Sequence, residues 1–386
     1  MLRGLKRVKE WEMQSMKAGL EDVVAGESGI CYIDGIKGIL AYRGYNIHEL
    51  APHSTFEETC HLLWFGKLPT AAELKDTSAR ITAERAIPKQ VLDLMSSFPT
   101  KALPMEVLRT SVSALSMYDP EAEDMSPEAN VRKAIRLTAQ CGTLITAFHQ
   151  IRNGKPPIAP RADLGYAANF SYMLTGNPPN DTIVKALDVA LILHADHELN
   201  ASTFAGRVTA GTLSDIYSAC TSAIGALKGP LHGGANENVM RMLLKIDDPS
   251  KVEAYVRDIF AKKQKIAGFG HRVYHTEDPR ATHLRRMSKE ACDREGQSKW
   301  YEMSAHIEAL VKAEKKLNAN VDFYSASTYY VIGMPIDMFT PFFAVSRMSG
   351  WTAHILEQYS NNRLIRPRAE YIGPSPELKW VPVSQR

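Results

Sequence analysis

Residues 181–203 read "DTIVKALDVALILHADHELNAST", and their pattern decides the fold. Through His194 the segment is apolar on nearly every face of a 3.6-residue period, which marks a helix buried all round. It runs straight into His194, Asp196, His197, Glu198 and Asn200. Burying such groups costs several kcal/mol unless each finds a partner, so a polar site begins where a central core helix ends. His194 and His197, three apart, could share a helix face. The spacing is not HExxH and no third ligand is evident. A metal pair, two satisfied core histidines and a polar substrate contact are the readings left open.

Working outward, the helical signal persists almost everywhere. "TFEETCHLLWFG" starts at Thr55, has Glu58 at capping-box spacing and stops at Gly66. A long helix follows Ser126 as N-cap and Pro127 as first residue, with Gly154 as its stop. Further helices are predicted near 161–175, 182–198, 212–226, 233–245, 250–264, 279–295, 299–317, 323–333 and 340–361. Strand-like alternation is confined to the start, where "GICYI" and "KGILAYRG" flank Asp34-Gly35 as a small hairpin, a dipeptide suited to positive φ. The expectation is a mostly α protein with two domains, or one large domain with an insertion.

Composition narrows the function. Net charge is only +3 over 386 residues, so no nucleic-acid footprint is implied, and Lys262-Lys263-Gln264-Lys265 reads as a solvated helix face. The five cysteines, Cys31, Cys60, Cys141, Cys220 and Cys292, are odd in number and never spaced CxxC. That argues against a disulfide framework or structural zinc and fits a reducing cytosol. No window approaches the ~18 apolar residues of a membrane span. The basic N-terminus has no apolar core after it and carries Glu10 and Glu12, so it reads as a frayed or helical extension rather than a targeting signal. A cytoplasmic location is expected.

Five more segments carry chemistry. "GPLHGGAN" (229–236) seats His232 among glycines, which let backbone approach backbone or ligand closely; a plain turn between helices is the alternative. "KIAGFGHRVYHTEDPR" (265–280) places Gly268-Phe269-Gly270 before His271 and Arg280 in the first turn after Asp278-Pro279. That GxG follows a basic helix end rather than a strand, so a dinucleotide fingerprint fits poorly. "NVDFYSAS" (320–327) holds Asp322 between apolar neighbours, where desolvation would raise its pKa, or where it would cap a helix. "VSRMSGW" and "RLIRPRAEY" contribute Arg347, Arg363, Arg366 and Arg368, carboxylate clamps or surface salt bridges. Imidazoles on glycine-rich turns, a carboxylate in an apolar pocket, several arginines and no metal set suit proton abstraction beside a carbonyl on a polycarboxylate.

In order and spacing, "HADHELNASTF", "GPLHGGAN", "GFGHRVYHTEDPR", "VDFYSA" and "FTPFFAVSRMSGWTAHILEQ" together resemble the citrate synthase family, in its short dimeric bacterial or archaeal type, over about residues 18–374. The resemblance implies that Asp322 deprotonates the methyl group of acetyl-CoA and that His232 hydrogen-bonds the thioester oxygen. It implies that His271 polarises the oxaloacetate ketone and protonates the new alkoxide. His197, Arg280 and Arg347 would hold oxaloacetate, with Arg366 reaching across from a second subunit. The backbone of Lys265, Ile266, Ala267, Gly268, Phe269 and Gly270 would cradle CoA. His275 stands where animal-type members carry an arginine for a CoA phosphate. The implied fold is mostly α, with a large helical domain from residues 1–224 and 332–386 and a small one from 225–331 that closes over the substrates. Acetyl-CoA enters as co-substrate, with no cofactor and no metal, and a homodimer is expected because the extra N-terminal segment of hexameric members is absent. The same fold serves 2-methylcitrate synthases, which act on propionyl-CoA and tend to show HPVY and a tryptophan in the aspartate motif. Here the residues are His271-Arg272-Val273-Tyr274 and Asp322-Phe323, so citrate is the favoured product.

Overall fold

The computed structural model describes residues 18–20, 23–178 and 180–386, so the N-terminal extension read from residues 1–17 lies outside the described residues. Among the described residues sixteen α-helices and one small sheet form. The sheet joins β1 (Cys31–Asp34), β2 (Ile39–Tyr42) and β3 (Tyr45–Asn46) as an antiparallel meander, with Cys31 opposite Tyr42. The expected hairpin therefore gains a third strand. Its turn also differs: Asp34 Oδ1 accepts the N–H groups of Ile36 and Lys37, and Gly38, not Gly35, takes the positive φ of 67°. Gly35 is needed for another reason, since a Cβ there would lie 2.0 Å from the Val273 carbonyl oxygen.

The first helices are α1 (Ile47–His53), α2 (Phe56–Phe65), α3 (Ala71–Ala83), α4 (Lys89–Ser96), α5 (Pro104–Leu115) and α6 (Pro127–Arg152). Then come α7 (Tyr166–Thr175), α8 (Asp181–His194), α9 (Ala201–Ala210), α10 (Ile216–Leu227) and α11 (Ala235–Ile246). The chain ends with α12 (Val252–Ala261), α13 (Pro279–Arg294), α14 (Lys299–Lys315), α15 (Val321–Val331) and α16 (Phe339–Ser360). Thr55 and Ser126 cap α2 and α6 as their spacing requires, and Gly66 closes α2 in the left-handed region.

Several boundaries depart from the sequence pattern: the helix expected from 161 starts only at Tyr166, after Gly165, and the one expected to 264 ends at Ala261. The apolar helix α8 ends at His194 instead of running to 198, because Asn200 is itself a cap: its Oδ1 accepts from Ser202 and Thr203 N–H and starts α9, which periodicity had not singled out. The helix expected from 212 starts only at Ile216, where Asp215 accepts from the Ser218 N–H.

Helix α8 buries Ala186, Leu187 and every residue from Val189 to His194 against α16, α7 and α2. Each such large aliphatic side chain contributes roughly 1.5–3 kcal/mol by leaving water. Asp188, its one acid past the first turn, caps α2 by accepting the Phe56 N–H at 2.9 Å. Helix α16 is buried along nearly its whole length and packs on α6, α9, α10 and α8. A second group of helices forms where α13 packs on α15 and α14, and α11 on α15; α8–α13, α1–α13 and α11–α16 contacts join the two groups. The polar segments lie along that junction. No helix among the described residues is long and apolar enough to cross a membrane.

One short pairing aligns the junction. Phe269 bridges Ala319, Gly270 N–H donates to the Asn318 carbonyl at 3.1 Å, and Asn320 N–H donates to the Gly268 carbonyl at 3.0 Å. This ties the segment before His271 to the start of α15. Gly268 sits at φ 81° with its missing Cβ 2.7 Å from the Phe323 ring and 2.8 Å from Val239, whereas Gly270, at φ 79°, faces open space. Gly268→Ala is expected to destabilise by about 1–3 kcal/mol beyond the cost of Gly270→Ala, because overpacking adds to the shared backbone strain. Denaturant titration of both variants checks this; equal losses would refute it.

Candidate active site

Beyond the end of α8 the chain turns sharply, with Glu198 in the left-handed region at φ 52°. The turn separates the two histidines that the i, i+3 spacing might have put on one face. His194 stays in α8, directs Nδ1 to the Ala190 carbonyl at 2.8 Å and packs edge-on against Phe343. Burial pushes its pKa down to about 3, so it is a neutral core group. His197 instead faces the junction. Its ring lies 5.3 Å from that of His271, and its Nε2 is 3.2 Å from the Tyr274 hydroxyl. Burial first, then the cations of Arg280 and neighbouring groups, hold His197 well below the ordinary histidine pKa. Among the described residues no three His, Cys, Asp or Glu side chains form a group able to hold a metal ion.

His232 owes its place to a backbone approach. Gly233 N–H donates to the Leu227 carbonyl at 3.0 Å, and a Cβ at Gly233 would lie 2.5 Å from that oxygen. The loop therefore folds back on the end of α10, while Thr340 of α16 donates to the Gly233 carbonyl. The imidazole then reaches α9: its Nε2 lies 2.8 Å from Ser202 Oγ and 3.3 Å from Ser202 N. A backbone N–H can only donate, so Nε2 is the accepting nitrogen and the ring proton falls on Nδ1. Burial, then Arg347, lower its pKa to about 4.

His271 has the opposite tautomer. Its Nδ1 accepts the backbone N–H groups of Val273 at 3.0 Å and Tyr274 at 3.1 Å, which leaves Nε2–H as the donor. Burial, then Arg280, push its pKa down to about 4. Both imidazoles are thus neutral hydrogen-bond donors at pH 7, each with a defined donating nitrogen.

Asp322 lies in the first turn of α15. The cap of that helix is Asn320, which accepts the Asp322 N–H at 3.0 Å, so the capping reading of Asp322 fails and its carboxyl is free for other work. Its Oδ1 is sealed from solvent without a hydrogen-bond partner. Burial raises the carboxyl pKa to about 7, with Asp278 adding to the rise and Arg280 and Arg347 opposing it.

Both buried arginines have company of different kinds. Arg280 donates through Nε and Nη2 to the two oxygens of Asp278, at 2.9 and 2.8 Å, so half its fork is committed and Nη1 remains for an anion. Arg347 donates Nε to the His194 carbonyl at 2.7 Å and lies over the Phe343 ring, but makes no ion pair with any described residue. Burial pulls its pKa down. Arg366 is elsewhere: it is exposed, beside a hollow of about 760 Å³ that Arg207, Glu357 and Arg363 also line. Arg363 and Arg368 are exposed too.

The loop from Lys265 to Gly270 is only partly available to a ligand. Lys265 is exposed, Ile266 is buried, Ala267 and Phe269 are half-buried, and the polar backbone of Gly268 and Gly270 is largely spent on Asn318 and Asn320. Beside it a smaller hollow of about 210 Å³ is lined by Gly270, His271, His275, Lys316 and Asn320. The sequence reading missed Ser202, Asp278 and Tyr274. Asp278 was visible only as a helix start and Ser202 only as one residue of a polar run; neither pattern shows which side chain it serves.

The site thus assembles a carboxyl poised to take a proton, two neutral imidazole donors and a buried guanidinium that makes no ion-pair contact with a described residue, although the Asp196 carboxylate lies within electrostatic reach. Comparison with known proteins places the chain in a family. The family model "Citrate synthase, C-terminal domain" matches residues 19–368. Citrate synthase 2 of Bacillus subtilis (strain 168) is 54% identical over 369 residues, covering 95% of this chain and 98% of its own. The 2-methylcitrate synthase of Mycobacterium tuberculosis (strain H37Rv) is 43% identical, covering 94% and 92%. Among solved structures, citrate synthase from Thermotoga maritima superposes with a TM-score of 0.86 at 41% identity, covering 96% of this chain and 99% of that one. The Thermoplasma acidophilum enzyme, solved as a ternary complex with carboxymethyl coenzyme A and oxaloacetate, gives 0.89 at 34% identity, covering 95% and 98%. This chain belongs to the citrate synthase family and is an enzyme of that class, an acyltransferase that turns the acyl group into alkyl on transfer.

Proposed function

We propose that the protein is a citrate synthase, condensing acetyl-CoA with oxaloacetate and hydrolysing citryl-CoA to citrate and CoA. The observation that carries this reading is Asp322, whose Oδ1 is sealed without a hydrogen-bond partner, whose pKa burial pushes up to about 7, and which lies within electrostatic reach of Arg280 and Arg347. Ionised Asp322 takes a methyl proton from acetyl-CoA. The Nδ1–H of His232 hydrogen-bonds the thioester oxygen as it becomes an enolate oxygen. The resulting carbon nucleophile attacks the oxaloacetate ketone, and the Nε2–H of His271 stabilises and then protonates the alkoxide. Each such donor contributes about 3–4 kcal/mol to the transition state. His197, Arg347 and the free Nη1 of Arg280 bind the oxaloacetate dianion; water then cleaves the citryl thioester.

Residues 225–331 act as the small domain of this scheme and residues 1–224 with 332–386 as the large one, so His271, Arg280 and Asp322 meet His197 and Arg347 only across the junction. The part of the 265–270 loop left accessible and the hollow beside His271 and Lys316 receive CoA. The enzyme works as a cytoplasmic homodimer in which the exposed Arg366 completes the site of a second copy. No cofactor or metal enters the scheme. The second reading is 2-methylcitrate synthesis from propionyl-CoA, favoured by relatives bearing that name at 43% identity.

Side-by-side kcat/KM values for the two thioesters decide between the readings. Acetyl-CoA is expected to win by ten- to 200-fold, the discrimination one methyl group permits; a preference for propionyl-CoA would reverse the assignment.

The acid limb of the pH profile tests Asp322. A raised carboxyl pKa means the base is lost by protonation as pH falls, so kcat/KM should drop tenfold per unit below about pH 7. Both imidazoles, near 4, are already neutral there. An acid limb near pH 4, or Asp322→Asn turnover within threefold of the parent, would remove Asp322 as the base.

The arginines should separate. Arg347→Leu removes a cation with no ion pair to a described residue, so the oxaloacetate KM should rise roughly 10- to 150-fold, with a stability loss limited to about 1–3 kcal/mol from the orphaned His194 carbonyl. Arg280→Leu should raise the same KM and also cost about 3–5 kcal/mol of stability, because Asp278 is left buried and unpaired. Identical Tm values for the two variants would contradict this division.

A further inference from the structure

Helix α16 meets the turn that follows α8 along one face, at positions 347, 350 and 354. Arg347 Nε donates to the His194 carbonyl at 2.7 Å. At Gly350 the two backbones touch so closely that a Cβ would lie 2.2 Å from the Ala195 carbonyl oxygen and 2.5 Å from Asp196 Oδ1. One turn further, His354 Nε2 lies 3.2 Å from Asp196 Oδ2. Both side chains are completely buried. Asp196 Oδ2 also accepts the N–H of Glu198, whose φ of 52° turns the chain, at 3.2 Å and so spans His197. Tyr42 holds the same turn from the sheet side, donating its hydroxyl to the Asp196 carbonyl at 3.0 Å. His197 is the residue inside this clamp.

A buried ion pair is weak evidence for stability, since well-packed apolar groups of the same volume often do as well or better. This pair is poorly satisfied as well: Asp196 Oδ1 and His354 Nδ1 are sealed without hydrogen-bond partners. Its outer flank is braced all the same. Glu357 Oε2 lies 4.0 Å from His354 Nδ1, and Glu357 is held by Arg207 Nη1 and the Gly29 N–H, each at 2.8 Å. Burial opposes the Asp196 charge, but His354 and Arg347 outweigh it and hold the carboxyl below its ordinary pKa. A buried, braced and incompletely bonded pair under a left-handed turn serves geometry.

We propose that His354 and Asp196 are positioning residues that aim His197 at the substrate by holding the 195–198 turn. The inference rests on the reading that His197 binds oxaloacetate. It makes the length and donor of the residue at 354 matter more than its charge. Gln reaches as far as the imidazole Nε2 and can donate to Asp196; Asn carries the same amide one methylene short; Leu fills the space without a donor.

Steady-state kinetics on the full-length enzyme tests this with His354→Gln, His354→Asn, His354→Leu, His197→Ala and the His197→Ala/His354→Leu double variant. His354→Leu and His354→Asn are expected to raise the oxaloacetate KM at least tenfold with kcat and the acetyl-CoA KM within threefold of the parent, while His354→Gln stays within threefold throughout. Because the effect passes through His197, His354→Leu should add less than twofold on the His197→Ala background. If His354→Leu fails to fold, the Gln and Asn pair decides alone. Equal KM values for Gln and Asn, or a lowered Tm with unchanged KM, would overturn the positioning role, as would an undiminished His354→Leu effect without His197. His197→Ala with an unchanged KM would instead overturn the oxaloacetate contact, and this inference with it.

Discussion

The carboxylate of Asp278 is buried and ionised, and the starts of two helices meet on it. Its Oδ1 accepts the N–H of Arg280 and so caps α13. Both oxygens take the Arg280 fork, and Oδ2 accepts the Val321 N–H at the start of α15. Burial alone would drive this carboxyl neutral, but Arg280 outweighs that and lowers its pKa. A buried charge that is paired and fully hydrogen-bonded is tolerable; removing either member leaves the other without compensation. The consequence is geometric. The arginine, the helix that carries it and the helix that carries Asp322 cannot shift independently.

Around that anchor the site sorts charge by environment. Desolvation and two guanidinium groups keep His197, His232 and His271 neutral, and the same desolvation raises Asp322. Acid and base roles are thus separated without any histidine charging near pH 7, the arrangement that lets neutral imidazoles donate while a carboxyl accepts. Arg347 is the counterpart: a buried cation without an ion pair to any described residue, whose counter-charge a substrate dianion would supply under the proposed function. Helix α16 supplies that cation and, one turn apart each time, the close approach at Gly350 and the donor at His354. A single buried helix thereby sets both the charge of the pocket and the turn on its far wall.

Much of the fold was legible in local pattern. Caps at Thr55, Ser126 and Asp278, the stop at Gly66 and the all-round apolarity of α8 each act within one or two helical turns, so they can be read without neighbours. Where the pattern failed, one residue type served two purposes. Asn200 belonged to a polar run and was also the cap that ended one helix and opened the next. Gly35 looked like a turn glycine, yet its lack of a side chain serves contact with Val273, while Gly38 takes the left-handed conformation.

By itself the sequence determined the helical class, the order of the polar segments and which residue types could act on a carboxylate substrate, because composition, capping and periodicity are local properties. Only the tertiary structure decided which of those residues meet. It withdrew His194 into the core and turned His197 toward His271. It assigned His232 and His271 opposite tautomers through Ser202 and the backbone of Val273 and Tyr274. It spent half of Arg280 on Asp278 and left Arg347 unpaired. Some of these partners lie only two or three residues away, but which of them is met, and how deeply, depends on segments far apart in the chain, as Arg347 on the His194 carbonyl shows.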